Sequence, residues 1–441
     1  MSLGNPLIEE DINRLLLKLA IPGAIGFFSH TAFNLTDTFF AGRVSAAALT
    51  GLSASFPLFF LLVALGAGFG SGAGSLVGNM LGSGDKALAR KYSAQTILLA
   101  LLLAILVLCL KQVAIDLVIP LVIREPEVLK EAHKYISVIY WGALPIIFIN
   151  VLGPLLTVCG DTRSVRNFLV CGALANTLLN PFFIWIFPGF DLGAIALATV
   201  LVEVAGSIYY AKKLIQYEVL DFKSLTLIPD GPIMGSIFRY GISSAISMAS
   251  IAIGSFIIVR FAGKFDHSTV GAYGLATRIE QVFLLPILGM NMALRAIISQ
   301  NFGAGRLDRA NAAFNNSVIA SLALTISSSL LIFFFGEYLT AFFTSDKAIQ
   351  LGAAGYLGYS RYTLPAYALV FLSNATTQSC RKPEIPMGIS IFRQIAAPLL
   401  FYPYLCQFGA DGLWLGISLV NWVAGLGACL IARHILLNYH R

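Results

Sequence analysis

The 441-residue sequence predicts an all-α polytopic membrane protein. Three observations carry that reading. Charged residues make up 12% of the chain, where soluble domains average about 25%. The hydrophobic class reaches 57%, with a mean hydropathy of +0.81. Long, mostly apolar runs, such as 97–110 and 322–335, pass without a charge. A chain this apolar can neither cover a soluble surface with polar groups nor stay disordered. A barrel strand would alternate with period two over ~10 residues, whereas a helical span needs ~20 apolar residues. Unbroken runs select helices.

Twelve spans are expected, at 14–40, 47–80, 93–119, 130–158, 164–187, 191–215, 234–262, 268–300, 311–336, 348–378, 384–407 and 411–437. Glycine, proline and charge clusters separate most of them: Gly82–Lys86, Gly160–Arg163, Pro188-Gly189, Gly303–Arg306 and Arg381–Pro383. The longest connection, 217–232, is polar and central. It divides the chain into an N-terminal half, 1–216, a cytoplasmic linker, 217–232, and a C-terminal half, 233–441.

The net charge of +7 sits in short loops between apolar runs, so it reads as a topology signal and not as a nucleic-acid surface. Sixteen Lys and Arg, among them Arg14, Lys86, Arg163, Lys212, Arg306 and Arg433, collect on the side that holds both termini. Eight, among them Arg43, Lys111, Arg260 and Lys347, collect on the other. The excess places both termini in the cytoplasm. The acidic N-terminus and the length of the first run argue against a cleaved signal peptide. The six cysteines form no CxxC pair and lie in or beside apolar segments, so they read as free thiols without metal or disulfide roles.

The halves repeat at an offset near 221 residues. Ala24-Ile25 falls on Ala245-Ile246, Ala41–Arg43 on Ala262–Lys264, Asn79–Gly84 on Gln300–Gly305, and Leu144-Pro145 on Leu364-Pro365 with a one-residue slip. Six spans per half keep both copies parallel, related by an axis along the membrane normal. Two pseudo-symmetric six-helix bundles around a central cleft are the geometry of alternating access.

These features together resemble a known family. The loops GSGDKALARK and GAGRLDRANA, the CGDTRSVRN loop after span four, the N-x-x-x-N-P-F-F-I pattern over Asn176–Ile184, and GAIALAT opening span six look like the multidrug and toxic compound extrusion (MATE) family over essentially the whole chain. The single acid of span one, Asp37, and Pro22 fifteen residues before it resemble the DinF-like branch. The resemblance implies a cation-coupled antiporter of the inner (plasma) membrane, functional as a monomer. Its substrates would be small organic, often cationic or amphipathic, compounds.

An ionisable group inside a span is costly, so each one asks for a reason. Burial disfavours the charged form of Asp37. It could load a proton from outside or hold Na⁺ when ionised. His30 and Asn34 share its helix face at i−7 and i−3, and are candidates for the substrate cleft. Asn176 and Asn180 lie at i, i+4 in span five, and Thr199 in span six is followed at i+4 by Glu203. The resemblance implies a polar cluster of Asp37, Asn176, Asn180 and Thr199. Asn180 departs from it, since many relatives carry Asp there, and Glu203 could restore a carboxylate one turn away or pair with a nearby Arg or Lys. Pro22 removes a backbone hydrogen bond and is either a fixed kink or, as the resemblance implies, a hinge coupled to Asp37. In the second half Glu280 is a candidate for a cationic substrate or a partner of Arg295, Arg361 or Arg393.

No G-x-x-x-x-G-K-[ST] appears, which excludes an ATP-driven pump from this chain, and no HExxH or well-placed GxSxG points to hydrolysis. No cofactor is expected beyond the coupling ion, H⁺ or Na⁺. A Na⁺-coupled exporter and a flippase of a lipid-linked precursor are the alternatives. An intramembrane enzyme lacks a nucleophile, base or metal constellation at one depth.

Overall fold

The structure, a computed structural model, describes residues 5–122, 125–221 and 228–438. Of the linker expected over 217–232, residues 222–227 lie outside the described residues, as do Arg124 and Lys223. The described residues are almost wholly helical. Twelve long helices follow a one-turn helix, Pro6–Glu9: α1 Ile12–Val44, α2 Ala46–Gly82, α3 Lys86–Cys109, α4 in two pieces (Pro126–Trp141 and Ala143–Val158), α5 Thr162–Ile186, α6 Leu192–Gln216, α7 Gly231–Ala262, α8 His267–Gly303, α9 Leu307–Phe343, α10 Lys347–Ser379, α11 from Glu384 to Leu405, and α12 Gly409–Asn438. Each expected span has its helix.

Among the described residues, nine helical stretches are each long and apolar enough to cross a membrane, with α11 and α12 running on as one, and the two pieces of α4, bent by 58°, form a tenth. Only α10 misses the apolar test. Its Ser360, Thr363, Ser373, Thr376, Thr377, Gln378 and Ser379 are all buried, so protein and not lipid surrounds them. Many helical hydroxyls donate to the carbonyl one turn back, such as Thr376 to Leu372 at 2.8 Å and Thr377 to Ser373 at 3.0 Å. That satisfies the hydroxyl without a partner helix.

The repeat is visible in the turns. At the end of α2, Ser83, Gly84 and Asp85 N–H donate to Asn79, Leu81 and Met80 O. At the end of α8, Ala304, Gly305 and Arg306 N–H donate to Gln300, Phe302 and Asn301 O. Gly84 and Gly305 both take left-handed backbone, at φ 81° and 69°, the conformation only glycine adopts without strain. The N-caps repeat as well. Ser45 accepts from Ala48 N–H and Asp266 accepts from Thr269 N–H, again 221 residues apart.

The chain packs as two compact units, one of residues Ile25–Ala245, the other of Met1–Ala24 with Ile246–Arg441. Thus α1 and α7 each change unit partway along, and they do so at repeat-related residues. The first-half unit has its core around Leu62, Ile136, Ile139, Ile146, Ile147 and Ile195. Among the described residues, the second-half unit shows these two apolar clusters. One seats Leu15, Leu16 and Leu19 on Leu294, Ile297 and Phe314. The other gathers Ile258, Tyr356, Tyr402 and Trp414.

Within each unit a glycine admits the crossing helix. A Cβ on Gly68 of α2 would stand 2.6 Å from Ala245 Cα in α7, and one on Gly289 of α8 would stand 2.6 Å from Ala24 N and Ala20 O in α1. These are the same contact in two copies. It is the backbone-to-backbone approach that small residues permit between membrane helices. Gly68→Val and Gly289→Val are therefore each expected to cost about 1–3 kcal/mol or more through overpacking. Gly274→Ala, with open space around it, is expected to be neutral or stabilising. Thermal unfolding in detergent measures all three.

Candidate functional site

In the first-half unit α1, α5 and α6 bring four polar side chains to one buried point. Asp37, Asn176, Asn180 and Thr199 are each 5% exposed or less. Asn180 Nδ2 donates to Asp37 Oδ1 at 2.8 Å and to Asn176 Oδ1 at 3.1 Å. Thr199 Oγ1 donates to Asp37 Oδ2 at 3.1 Å. Both carboxylate oxygens thus have a neutral donor. No Lys, Arg or His forms an ion pair with Asp37 among the described residues.

Local sequence accounts for the convergence. Asn176 and Asn180 are one turn apart, so one face of α5 carries both. Pro181 follows inside the same helix and removes one backbone donor beside the cluster. The start of α6, and so the height of Thr199, is held from α4. Glu131, 8% exposed, accepts from Leu192 N–H at 3.2 Å, the first residue of α6. Lys134 then donates to Glu131 at 2.6 Å, to Asp191 at 2.7 Å and to Gly189 O at 3.0 Å. Sequence reading missed this clamp. Its one signal was the i, i+3 pair Glu131-Lys134.

The other candidates stand apart from Asp37. Asn34 is exposed and donates to His30 O on its own helix at 3.1 Å. His30 is exposed on α1 and lines a small pocket with Glu203. The expected pairing of Glu203 with an Arg or Lys is not found. No ion pair involves it among the described residues, and its Oε2 is buried without a hydrogen-bond partner. Nor does it reach the Asp37 oxygens, which Asn180 and Thr199 already hold. The i+4 step from Thr199 moves it one turn along α6.

Pro22 lies inside α1, where Gly23 approaches Gly289 Cα and Met292 Sδ, so that a Cβ there would meet both at 3.2 Å. Two residues later α1 passes from one unit to the other.

Glu280, 5% exposed, belongs to the second-half unit. The expected pairing with an arginine gives way to hydroxyl partners on α10: Ser360 Oγ donates to Oε1, and Tyr356 Oη donates to Oε2 at 3.3 Å. Arg393 instead donates to Asn421 Oδ1 at 2.7 Å and lies over the Tyr367 ring. Arg361 lies over Phe333 and Tyr362. Sequence reading did not single out Tyr356 and Ser360, whose i, i+4 spacing puts both on one face of α10.

Comparisons with known proteins agree with the helical fold and its internal repeat. The model of the MatE family matches residues 22–182 and 243–402. A FAD transporter of Shewanella oneidensis is 25% identical over 439 residues, spanning 97% of this chain and 96% of its own. A probable multidrug resistance protein, NorM, of Thermotoga maritima is 22% identical, over 92% of this chain and 89% of its own. The outward-facing structure of a multidrug resistance MATE family transporter of the MOP superfamily superposes with a TM-score of 0.92 at 25% identity, covering 100% of this chain and 99% of that one.

Removing either side of the Asp37–Asn180 contact leaves a buried partner unsatisfied, a loss of about 1–3 kcal/mol. Asp37→Leu and Asn180→Leu are each expected to lower stability in detergent by that order. The double variant is expected to lose clearly less than the sum. Asp37→Leu combined with Glu203→Leu is expected to be additive, because those side chains do not touch.

Proposed function

The chain belongs to the MatE family, and we propose that it works as a proton-coupled antiporter, with Asp37 as the coupling carboxylate. It is a multi-pass membrane transporter and not an enzyme, and the multidrug efflux of its relatives supports extrusion of small organic compounds. The single observation that carries the finer reading is the environment of Asp37: a buried carboxylate with two neutral donors and no cationic side chain paired with it among the described residues. Such a group is stable ionised only while those donors face it, and stable neutral once it takes a proton. Its state is therefore poised to follow its access to water.

The proton reading is favoured over Na⁺ by Asn180. Its amide NH₂ donates to Asp37 Oδ1 while Thr199 gives its hydroxyl to Oδ2, donors that suit a carboxylate. Loading from outside and release to the cytoplasm would alternate with substrate binding. The excess of Lys and Arg on the side of both termini supports a cytoplasmic placement of those termini. One chain carries both repeats, which supports function as a monomer.

Pro22 is proposed as the hinge of this cycle. The stretch Ala20–Ala24 is seated on Gly289, and from Ile25 onward α1 belongs with the unit that holds Asp37. A change in the donors around Asp37 would thus pull on a helix whose other end is fixed, next to a missing backbone hydrogen bond.

Organic cations are the substrates expected first. A second substrate reading has its own support in the FAD transporter relative, since FAD is an anionic flavin dinucleotide.

Efflux from proteoliposomes under separately imposed proton and Na⁺ gradients tests the scheme. Wild type is expected to follow the proton gradient alone, and Asp37→Asn to lose at least tenfold in rate at equal reconstitution. Efflux driven by Na⁺ alone, or an unimpaired Asp37→Asn, would overturn it. Pro22→Ala is expected to keep binding affinity for a cationic dye while slowing efflux severalfold; unchanged efflux would remove the hinge. Running the same vesicles with a cationic dye and with FAD separates the two substrate readings.

A further inference from the structure

Glu203 is a half-buried acid that the Asp37 scheme does not use. It lies on α6, its Oε2 has no hydrogen-bond partner, and no ion pair involves it among the described residues. It lines a small pocket with His30 and Phe33 from α1, Phe168, Leu169 and Gly172 from α5, and Val202 beside it. His30 is the one titratable side chain that α1 turns into this pocket. The residues from α5 are apolar. From α4, Pro145 and Ile149 face the next turn of α6, through Ser207 and Gly206. Along α6 itself the nearest titratable group is Tyr210, whose hydroxyl donates to Val165 O at 3.3 Å.

The pocket has a volume of about 10 Å³, room for about one water molecule. No organic substrate fits it. A metal cation would need several hard oxygens at once, and the lining supplies one carboxylate. The one cation that the space and the chemistry admit is a proton. A carboxylate oxygen without a donor in apolar surroundings favours the protonated form, and the imidazole of His30 is the base that lines the same pocket.

We propose that Glu203 and His30 form a second protonation site in the first-half unit, separate from Asp37, that takes up and releases a proton of its own during the transport cycle. The step is a transfer of one proton between water, the imidazole and the carboxyl group, with no other bond made or broken. The inference rests on the proton-coupled reading above and adds to it a stoichiometry of more than one proton per substrate.

Two measurements test it. The first is pH-titrated infrared difference spectroscopy of the purified protein in lipid, which reads buried carboxyl groups whether or not transport is proton-driven. Wild type is expected to show a protonated-carboxyl band that Asp37→Asn leaves in place and Glu203→Gln removes, with the Glu280 band assigned by Glu280→Gln. His30→Asn is expected to shift the midpoint of the Glu203 band and leave that of Asp37 alone. The second is the proton-to-substrate ratio in proteoliposomes, expected to fall by about one in Glu203→Gln, which should still transport. No band lost in Glu203→Gln, or an unchanged ratio in an active Glu203→Gln, would overturn the second site. If wild-type efflux ignores the proton gradient while the infrared bands behave as expected, the antiport reading and the added stoichiometry fall and the protonation site stands.

Discussion

A carboxylate placed inside the apolar layer has to be wrapped by dipoles or be neutral, and the first-half unit is built around that demand. Asp37 sits on α1, but what makes it tenable lies on α5 and α6. Three helices must therefore meet at one height. The Asn176–Asn180 spacing secures α5. The start of α6 is secured from α4, because Glu131 accepts from Leu192 N–H and Lys134 ties Glu131 to Asp191 and Gly189. A charged network at one end of the bundle thus governs donor positions deep within it. Glu203 meets the same demand differently: its Oε2 has no donor and no ion pair involves it among the described residues, and we propose that it takes a proton instead.

Close packing sets the frame on which this chemistry rests. Lipid offers no hydrophobic drive between helices, so contact depends on small residues and shape. Gly68 and Gly289 stand at repeat-related positions, each under a helix that changes unit. For α1 that crossing falls beside Pro22, whereas α7 has Ala245-Ile246 and no proline there. The halves share one scaffold, and the proline and the acid of the first helix are what distinguish the first from the second. Glu280, with its hydroxyl partners on α10, lies on a different helix of the repeat, so it is not a second copy of Asp37.

Much of this was legible in advance. The twelve helices followed from run length and breaker residues, and the repeat followed from matched loops. Hydropathy alone undercounts the helices, because α10 is lined by Ser and Thr that face protein. Hydroxyls bonded to the carbonyl one turn back cost little in that setting, so an enclosed helix can be polar. The spacing of Asn176 and Asn180 foretold a shared face, and the family resemblance named their partners Asp37 and Thr199. The partners of Glu203 and Glu280 were not foretold. Helical periodicity tells which residues share a face and says nothing of which helix the face meets.

The sequence by itself determined the class of the molecule, its helices, its internal repeat and the few ionisable residues that lipid would not tolerate without cause. Those properties follow from local composition and from the cost of burying charge, which no neighbour can remove. Only the tertiary structure decided that Glu203 shares a pocket with His30 and does not bond Asp37, that hydroxyls and not arginines bond Glu280, and that α1 and α7 each belong to two units. Each of these turns on the rotation and height of one helix against another. That choice is made by glycine contacts, N-terminal caps and ion clamps between residues distant in the chain, and no periodicity within one segment encodes it.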